Sequence, residues 1–402
     1  MPNNANITIY SEVSEILTLE KAHNKDGRNL LPNDASIIKN GFVVFDEDKI
    51  LYVGEKIPEI YKNEKVISLK NKTLVPEIVD AHTHLIFAGN RAFEYTLRLN
   101  GASYEEIAKS GGGIVNTTNA TLNATRDELF NLAKERIERI NSYGIGTIEI
   151  KSGYGLTYEK EYELSHIIDD LKKYFAPKIQ IINTFMAAHA VPKNFTNSSD
   201  YMNEIVIPLL KKLEEENILD AVDIFEEDGY FTREDTIKLM NETKLPMKIH
   251  ADEFIDGKTA KFAAENNFLS CEHLMKTTDD GINALTKSNT IANLLPGTSF
   301  FLGKQLANAK LFLDKGCKVA ISSDYNPGSC HIDNVLLIAS MCAPTYKMNQ
   351  TQMWAAITLN AAHALGLKNQ GAIINGMKPR FSIFDTKTVS EITYNLGRNL
   401  LK

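Results

Sequence analysis

Between residues 74 and 321 two kinds of segment take turns along the chain. Short apolar runs rich in Val and Ile occupy 74–81, 146–150, 179–185, 221–225, 247–249, 268–271, 290–295 and 319–321, which makes eight strand candidates. Longer stretches separate them, with apolar residues at helical spacing. YEKEYELSHIIDDLKKYF, between the second and third runs, is amphipathic in this sense. Thr125 followed by Glu128 is a capping-box pattern that opens RDELFNLAKERIERI. Eight strands alternating with helices predict a parallel (β/α)8 barrel, an α/β fold.

The two ends have another rhythm. Residues 5–70 carry short alternating stretches such as GFVVFDEDKILYVG, and the tail GAIINGMKPRFSIFDTKTVSEITYN repeats that character. Both read as antiparallel strands. They flank the barrel in sequence, so they can pair into one small composite β domain. The expected division is 1–70 and 371–402 for the β domain and 71–370 for the barrel. GASYEEIAKSGGGI, at 101–114, reads as a mobile loop.

Composition narrows the functional classes. With 402 residues, 43% of them hydrophobic and 24% charged, the chain can build one large core beside a smaller one. The net charge of -7 is spread without a basic block, which argues against nucleic acid as a partner. The start, MPNNANITIY, has no basic segment followed by an apolar run, and no stretch is apolar enough to span a membrane. Cys271, Cys317, Cys330 and Cys342 stand singly, as reduced thiols would. A soluble, cytoplasmic protein is expected.

The candidate chemistry lies where the predicted strands end. Asp80-Ala81-His82-Thr83-His84 closes the first, and side chains alternate along a strand, so His82 and His84 share a face. The third run closes with His189, the fifth with His250-Ala251-Asp252-Glu253, the sixth with His273 and the eighth with Asp324. Five of the nine histidines thus fall at the C-terminal mouths of barrel strands, the face that carries active sites in this fold. His23, His166, His331 and His363 do not, and read as surface or packing residues. Three imidazoles and one carboxylate (His82, His84, His250 and Asp324) suit one catalytic Zn²⁺ or Fe²⁺. Asp324 can both ligate and accept a proton from water, and His273 can polarise a carbonyl or shuttle a proton. Lys151 ends the second strand but sits inside KSGYGL, which argues for a substrate loop rather than a metal bridge.

DAHTHLIFAGNR, the run FEYTLRLNGASYEEIAKSGGGI, EIKSGYGL, TFMAAHAVP, KIHADE, LLPGTSFFL and SSDYNPGS occur in order from about 74 to 366. Together they resemble the imidazolonepropionase family of the amidohydrolase superfamily. The resemblance implies hydrolysis of the cyclic amide of 4-imidazolone-5-propanoate to N-formimino-L-glutamate, the third step of histidine degradation, by a cytoplasmic homodimer. It matches His82, His84, His250 and Asp324 to the ligands of one Zn or Fe ion, and His273 to a catalytic histidine. It matches Arg91 to the group that holds the substrate carboxylate. Tyr154, His189 and Glu253 match substrate contacts, with Glu253 also a candidate second base. Asn326, Gly328 and Ser329 match residues at the formiminoglutamate end. Two departures stand out. Glu77 follows Pro76 where glycine is usual, and KPRFSIFD lacks the acidic residue that commonly precedes the apolar strand.

Overall fold

The computed structural model describes residues 6–102, 106 and 112–401. Residues 103–105 and 107–111 of the expected 101–114 loop lie outside them. Fourteen strands are described, numbered here in chain order. The first five are β1 (Thr8–Leu17), β2 (Ile37–Phe45), β3 (Ile50–Gly54), β4 (Lys65–Ser68) and β5 (Thr73–Pro76). Eight more form the barrel: β6 (Ile78–Asp80), β7 (Ile145–Lys151), β8 (Gln180–Phe185), β9 (Ala221–Val222), β10 (Lys248–Ala251), β11 (Ser270–His273), β12 (Ile291–Leu294) and β13 (Val319–Ile321). The last is β14 (Phe381–Phe384).

β6 to β9 and β10 to β13 are two parallel ladders, each in sequence order. They join into a closed barrel at two seams. Parallel bridges from Val222 to Met247 and from Phe225 to His250 link β9 to β10. At the other seam Thr83 bridges Tyr325, Asp324 N–H donates to His82 O at 3.0 Å, and His84 N–H donates to Tyr325 O at 2.9 Å. The second seam therefore aligns the first and last strand ends, where the candidate ligands lie.

Local sequence explains the elements. β7, IGTIEIK, is buried on both faces, as a parallel strand under helices must be. The helix Tyr158–Phe175 buries Leu164, Ile167, Ile168, Leu171 and Phe175, spaced by three or four residues. Thr125 caps Arg126–Asn141 by accepting from Glu128 N–H, while Glu128 accepts from Thr125 N–H at 2.8 Å.

The termini depart from an all-antiparallel reading. One sheet runs β14-β5-β1-β2-β3, with β4 beside β1; β1 lies antiparallel to β2 but parallel to β4 and β5. The tail contributes β14, antiparallel to β5, and then turns helical at Val389–Tyr394 under a Thr388–Glu391 capping box. The apolar run 74–81 is two strands, not one. Residues up to Pro76 pair with β14, Glu77 N–H donates to Arg380 O at 3.2 Å, and Ile78 begins the barrel. The two sequence departures meet at that crossing. Glu77 Oε1 accepts from Arg380 Nε at 2.7 Å and from Thr147 Oγ1 at 2.7 Å. Arg380 also donates to Gly146 O at 3.0 Å. Glu77 and Arg380 are one ion pair between sheet and barrel.

Candidate metal centre

His82, His84 and His250 each present a ring nitrogen within 4.8 Å of the others, and all three side chains are buried. Asp324 Oδ1 lies 3.5 Å from His82 Nε2 and 3.6 Å from His84 Nε2. The other oxygen, Oδ2, accepts from Thr298 Oγ1.

The ring nitrogens facing away are held by carboxylates. His82 Nδ1 lies 3.0 Å from Glu272 Oε2, and His250 Nδ1 lies 3.2 Å from Asp223 Oδ1. A carboxylate there fixes the Nδ1–H tautomer and leaves Nε2 as a lone-pair donor. His82 Nε2 is buried and has no hydrogen-bond partner among the described residues. Burial, followed by the nearby Lys151, holds the His82 imidazole well below its usual range, and burial does the same to His84. Converging ring nitrogens, with His82 and His84 kept neutral by burial, are what a divalent cation requires.

Charge points the same way. Beneath the histidines, Lys151 Nζ contacts Asp223 at 2.6 Å and Glu149 at 2.7 Å, and Lys248 Nζ contacts Glu149 at 2.9 Å and Glu272 at 3.4 Å. Two ammonium groups against Glu149, Asp223, Glu272 and Asp324 leave two negative charges, which a divalent ion neutralises. Burial accordingly raises the carboxyls of Asp324 and Glu272. The residues fit the group.

Lys151 stands at the strand end, ahead of the loop. It is the last residue of β7 and is fully buried. Burial opposes its charge, but Asp223 and Glu149 overcome that and raise its pKa.

The remaining candidates surround this centre. His189 stacks on His84 with ring centroids 4.8 Å apart, and Tyr154 sits 5.3 Å from His189. His273 Nε2 lies 3.5 Å from Glu253 Oε2, and both line a cavity of about 360 Å³ with Phe254, Thr298 and Lys304. Burial pushes His273 down to about 3 and Glu253 up to about 7. Arg91 is tied to Glu94, with Nε at 2.8 Å and Nη2 at 2.7 Å from Oε2. Its remaining nitrogen packs so closely on Gly328 that a Cβ there would meet Nη1 at 1.7 Å. Asn326 is occupied within its own loop: Oδ1 accepts from Gly328 N–H at 2.8 Å and Ser329 N–H at 2.7 Å. His273 and Asp324 adopt φ of 69° and 53°. Such left-handed backbone costs a non-glycine residue about 1–3 kcal/mol and collects at functional sites.

A model of the amidohydrolase family matches residues 73–400. Imidazolonepropionase of Alkaliphilus oremlandii (strain OhILAs) is 36% identical over 98% of this chain and 95% of its own length. The enzyme of that name from Clostridium tetani (strain Massachusetts / E88) gives the same figures. The chain belongs to the imidazolonepropionase family of amidohydrolases. Among solved structures, this amidohydrolase is similar to triazine hydrolase from Arthrobacter aurescens, with a TM-score of 0.72, 12% identity, and 96% of this chain and 88% of that one covered. It is also similar to an adenosine deaminase from Xanthomonas campestris with bound zinc, with a TM-score of 0.69, 12% identity, and 98% and 90% covered. At such identities the likeness concerns the fold.

Sequence reasoning passed over the support beneath the amidohydrolase histidines: Glu149, Asp223, Lys248, Glu272 and Thr298. A signal was present. Lys248 and His250 are two residues apart on β10, Ser270 and Glu272 on β11, and Glu149 and Lys151 on β7. Period two places each pair on the barrel interior. Charged residues inside otherwise apolar strands were the clue.

Proposed function

We propose that the chain hydrolyses the cyclic amide of 4-imidazolone-5-propanoate to N-formimino-L-glutamate, the third step of histidine degradation. The observation that carries this is the 36% identity to proteins named imidazolonepropionase over 98% of the chain. His82, His84, His250 and Asp324 would hold one divalent ion, Zn or Fe, and the protonated, ion-paired Lys151 supports a single ion over a bridged pair. When bound, such an ion supplies Lewis-acid chemistry, lowering the pKa of coordinated water from about 15.7 toward about 7.

The chain's own groups divide the remaining work. Asp324 and Glu253 are the candidate acceptors for the proton of the attacking water. Glu253, at about 7, can both take and return a proton near neutral pH. His273 is neutral and placed to orient or polarise the ring carbonyl. Water oxygen adds to the carbonyl carbon, the ring C–N bond breaks, and the departing nitrogen takes the proton. The carbonyl carbon becomes the new carboxylate. Arg91 reads the propanoate, Tyr154 and His189 bound the ring from one side, and Asn326, Gly328 and Ser329 shape the product end.

A β domain from 1–70 and 371–402 around a barrel of 71–370 is supported by the pairing of β14 with β5. The family likeness supports a cytoplasmic homodimer, and the net charge of -7 supports a role away from nucleic acid. No helix among the described residues is long and apolar enough to cross a membrane.

The test follows the ultraviolet absorbance of freshly made imidazolone propanoate with purified protein, beside elemental analysis. Ring opening with one ion per chain is expected, and His250→Ala should lose both. Activity toward a purine or triazine ring alone would replace this reading with another amidohydrolase reaction.

A further inference from the structure

We propose that Glu161 is a positioning residue: its carboxyl group latches the 152–156 loop and through it sets Tyr154 and His189 against the ligand histidine His84. The inference rests on the reading above, in which Tyr154 and His189 contact substrate.

Glu161 lies in the first turn of the helix Tyr158–Phe175 and is fully buried. Its carboxyl faces the preceding loop. Oε2 accepts from Gly153 N–H at 2.9 Å, and Oε1 accepts from Gly155 N–H at 2.6 Å and Leu156 N–H at 2.9 Å. Among the described residues Glu161 makes no ion pair, so loop amides take the place of a cation. The loop needs this partner. Gly153 has φ of +118° and Leu156 of +52°, and such turns aim successive N–H groups into one concavity that only an acceptor can fill.

The other edge of the loop faces the active site. Gly153 O lies 3.0 Å from His189 Nδ1, and a carbonyl only accepts, so Nδ1 carries the proton and Nε2 keeps its lone pair. A Cβ on Gly153 would meet Met186 O at 2.7 Å and His189 Cβ at 3.0 Å, so only glycine fits this close approach. His189 in turn stacks on His84, and Tyr154 stands edge-on to His189. One carboxyl thus fixes a contact chain from a barrel helix to the ligand set. Both oxygens are needed: glutamine would offer one acceptor and turn an NH₂ toward the amides.

The test compares wild type, Glu161→Gln, Tyr154→Phe and the double variant, using 4-imidazolone-5-propanoate as probe. Glu161→Gln is expected to raise KM about tenfold, with a smaller fall in kcat and unchanged metal content. The double variant should be no worse than the worse single one, since the two residues act as a unit. Amide exchange should quicken about tenfold at Gly153, Gly155 and Leu156 while β7 keeps its protection. An unchanged KM, additive effects, or exchange raised along the whole chain overturns the proposal. Gly153→Ala disturbs the loop from its other edge and should reproduce the KM rise; if it does not, the latch is equally overturned. If wild type fails to open the ring, the functional reading falls, and the local exchange readout still decides whether Glu161 holds the loop.

Discussion

Glu272 sits one residue before the candidate catalytic His273, and both approach His82. Glu272 reaches His82 from below, and the left-handed backbone at His273 breaks the strand alternation and brings its ring within 5.3 Å of His250 and 6.0 Å of His82. Asn293 Nδ2 and Ser270 Oγ both donate to the same carboxyl, which fixes its rotamer. Glu272→Gln keeps the shape but can present an NH₂ to His82 Nδ1, and it disturbs the tautomer that leaves Nε2 open. Metal affinity should fall about 10- to 100-fold with the fold retained, measured by chelator competition beside circular dichroism. Arg91 is tested differently, because Glu94 holds two of its nitrogens and the third packs on Gly328. A hydrogen bond to a charged group contributes about 1.5–3 kcal/mol, so Arg91→Ala should lower kcat/KM about 10- to several-hundredfold. On an imidazolone lacking the propanoate the same variant should change little. Equal losses on both substrates would make Arg91 a structural partner of Glu94.

At the scale of elements, the strand–helix alternation was legible because burial imposes period two on strands and 3.6 on helices. The helix Arg126–Asn141 begins where the Thr125–Glu128 pattern put it. That cap is exposed and isolated from the site, so Thr125→Ala should cost about 1 kcal/mol in denaturant unfolding and leave kcat and KM unchanged. The run 74–81 misled because an apolar stretch carries no mark of which sheet it joins. Its division between β5 and β6 depends on Glu77 pairing with a residue about three hundred positions away. The tail misled for a related reason. Residues 389–394 hold β-branched residues that favour strands, but the Thr388–Glu391 box and packing of Val389 and Ile392 into the core make them a helix.

For the whole molecule, the Glu77–Arg380 pair joins the small sheet to the barrel with little water access. Burial raises the Glu77 carboxyl, and Arg380 opposes that rise. Arg380→Ala should destabilise the chain by about 3–5 kcal/mol, because it strands a buried carboxyl. Adding Glu77→Gly should recover a large part of that loss. Thermal unfolding of the two singles and the double measures the coupling, and strictly additive effects would show that the pair does not join the two parts. The barrel, its polarity and the histidines at its mouth could be read from the order of residues, because alternation, capping and strand-end position are local properties of a chain. The charged positions beneath the histidines left a period-two trace, but their partners, the Glu161 latch and the Glu77–Arg380 pair could not be read there. Each depends on which distant group faces a buried charge, and a lysine or glutamate in a strand has the same local pattern whether it meets water or a partner. Only closure of the barrel brings β7, β10 and β11 around one interior, and there desolvation makes those partners necessary.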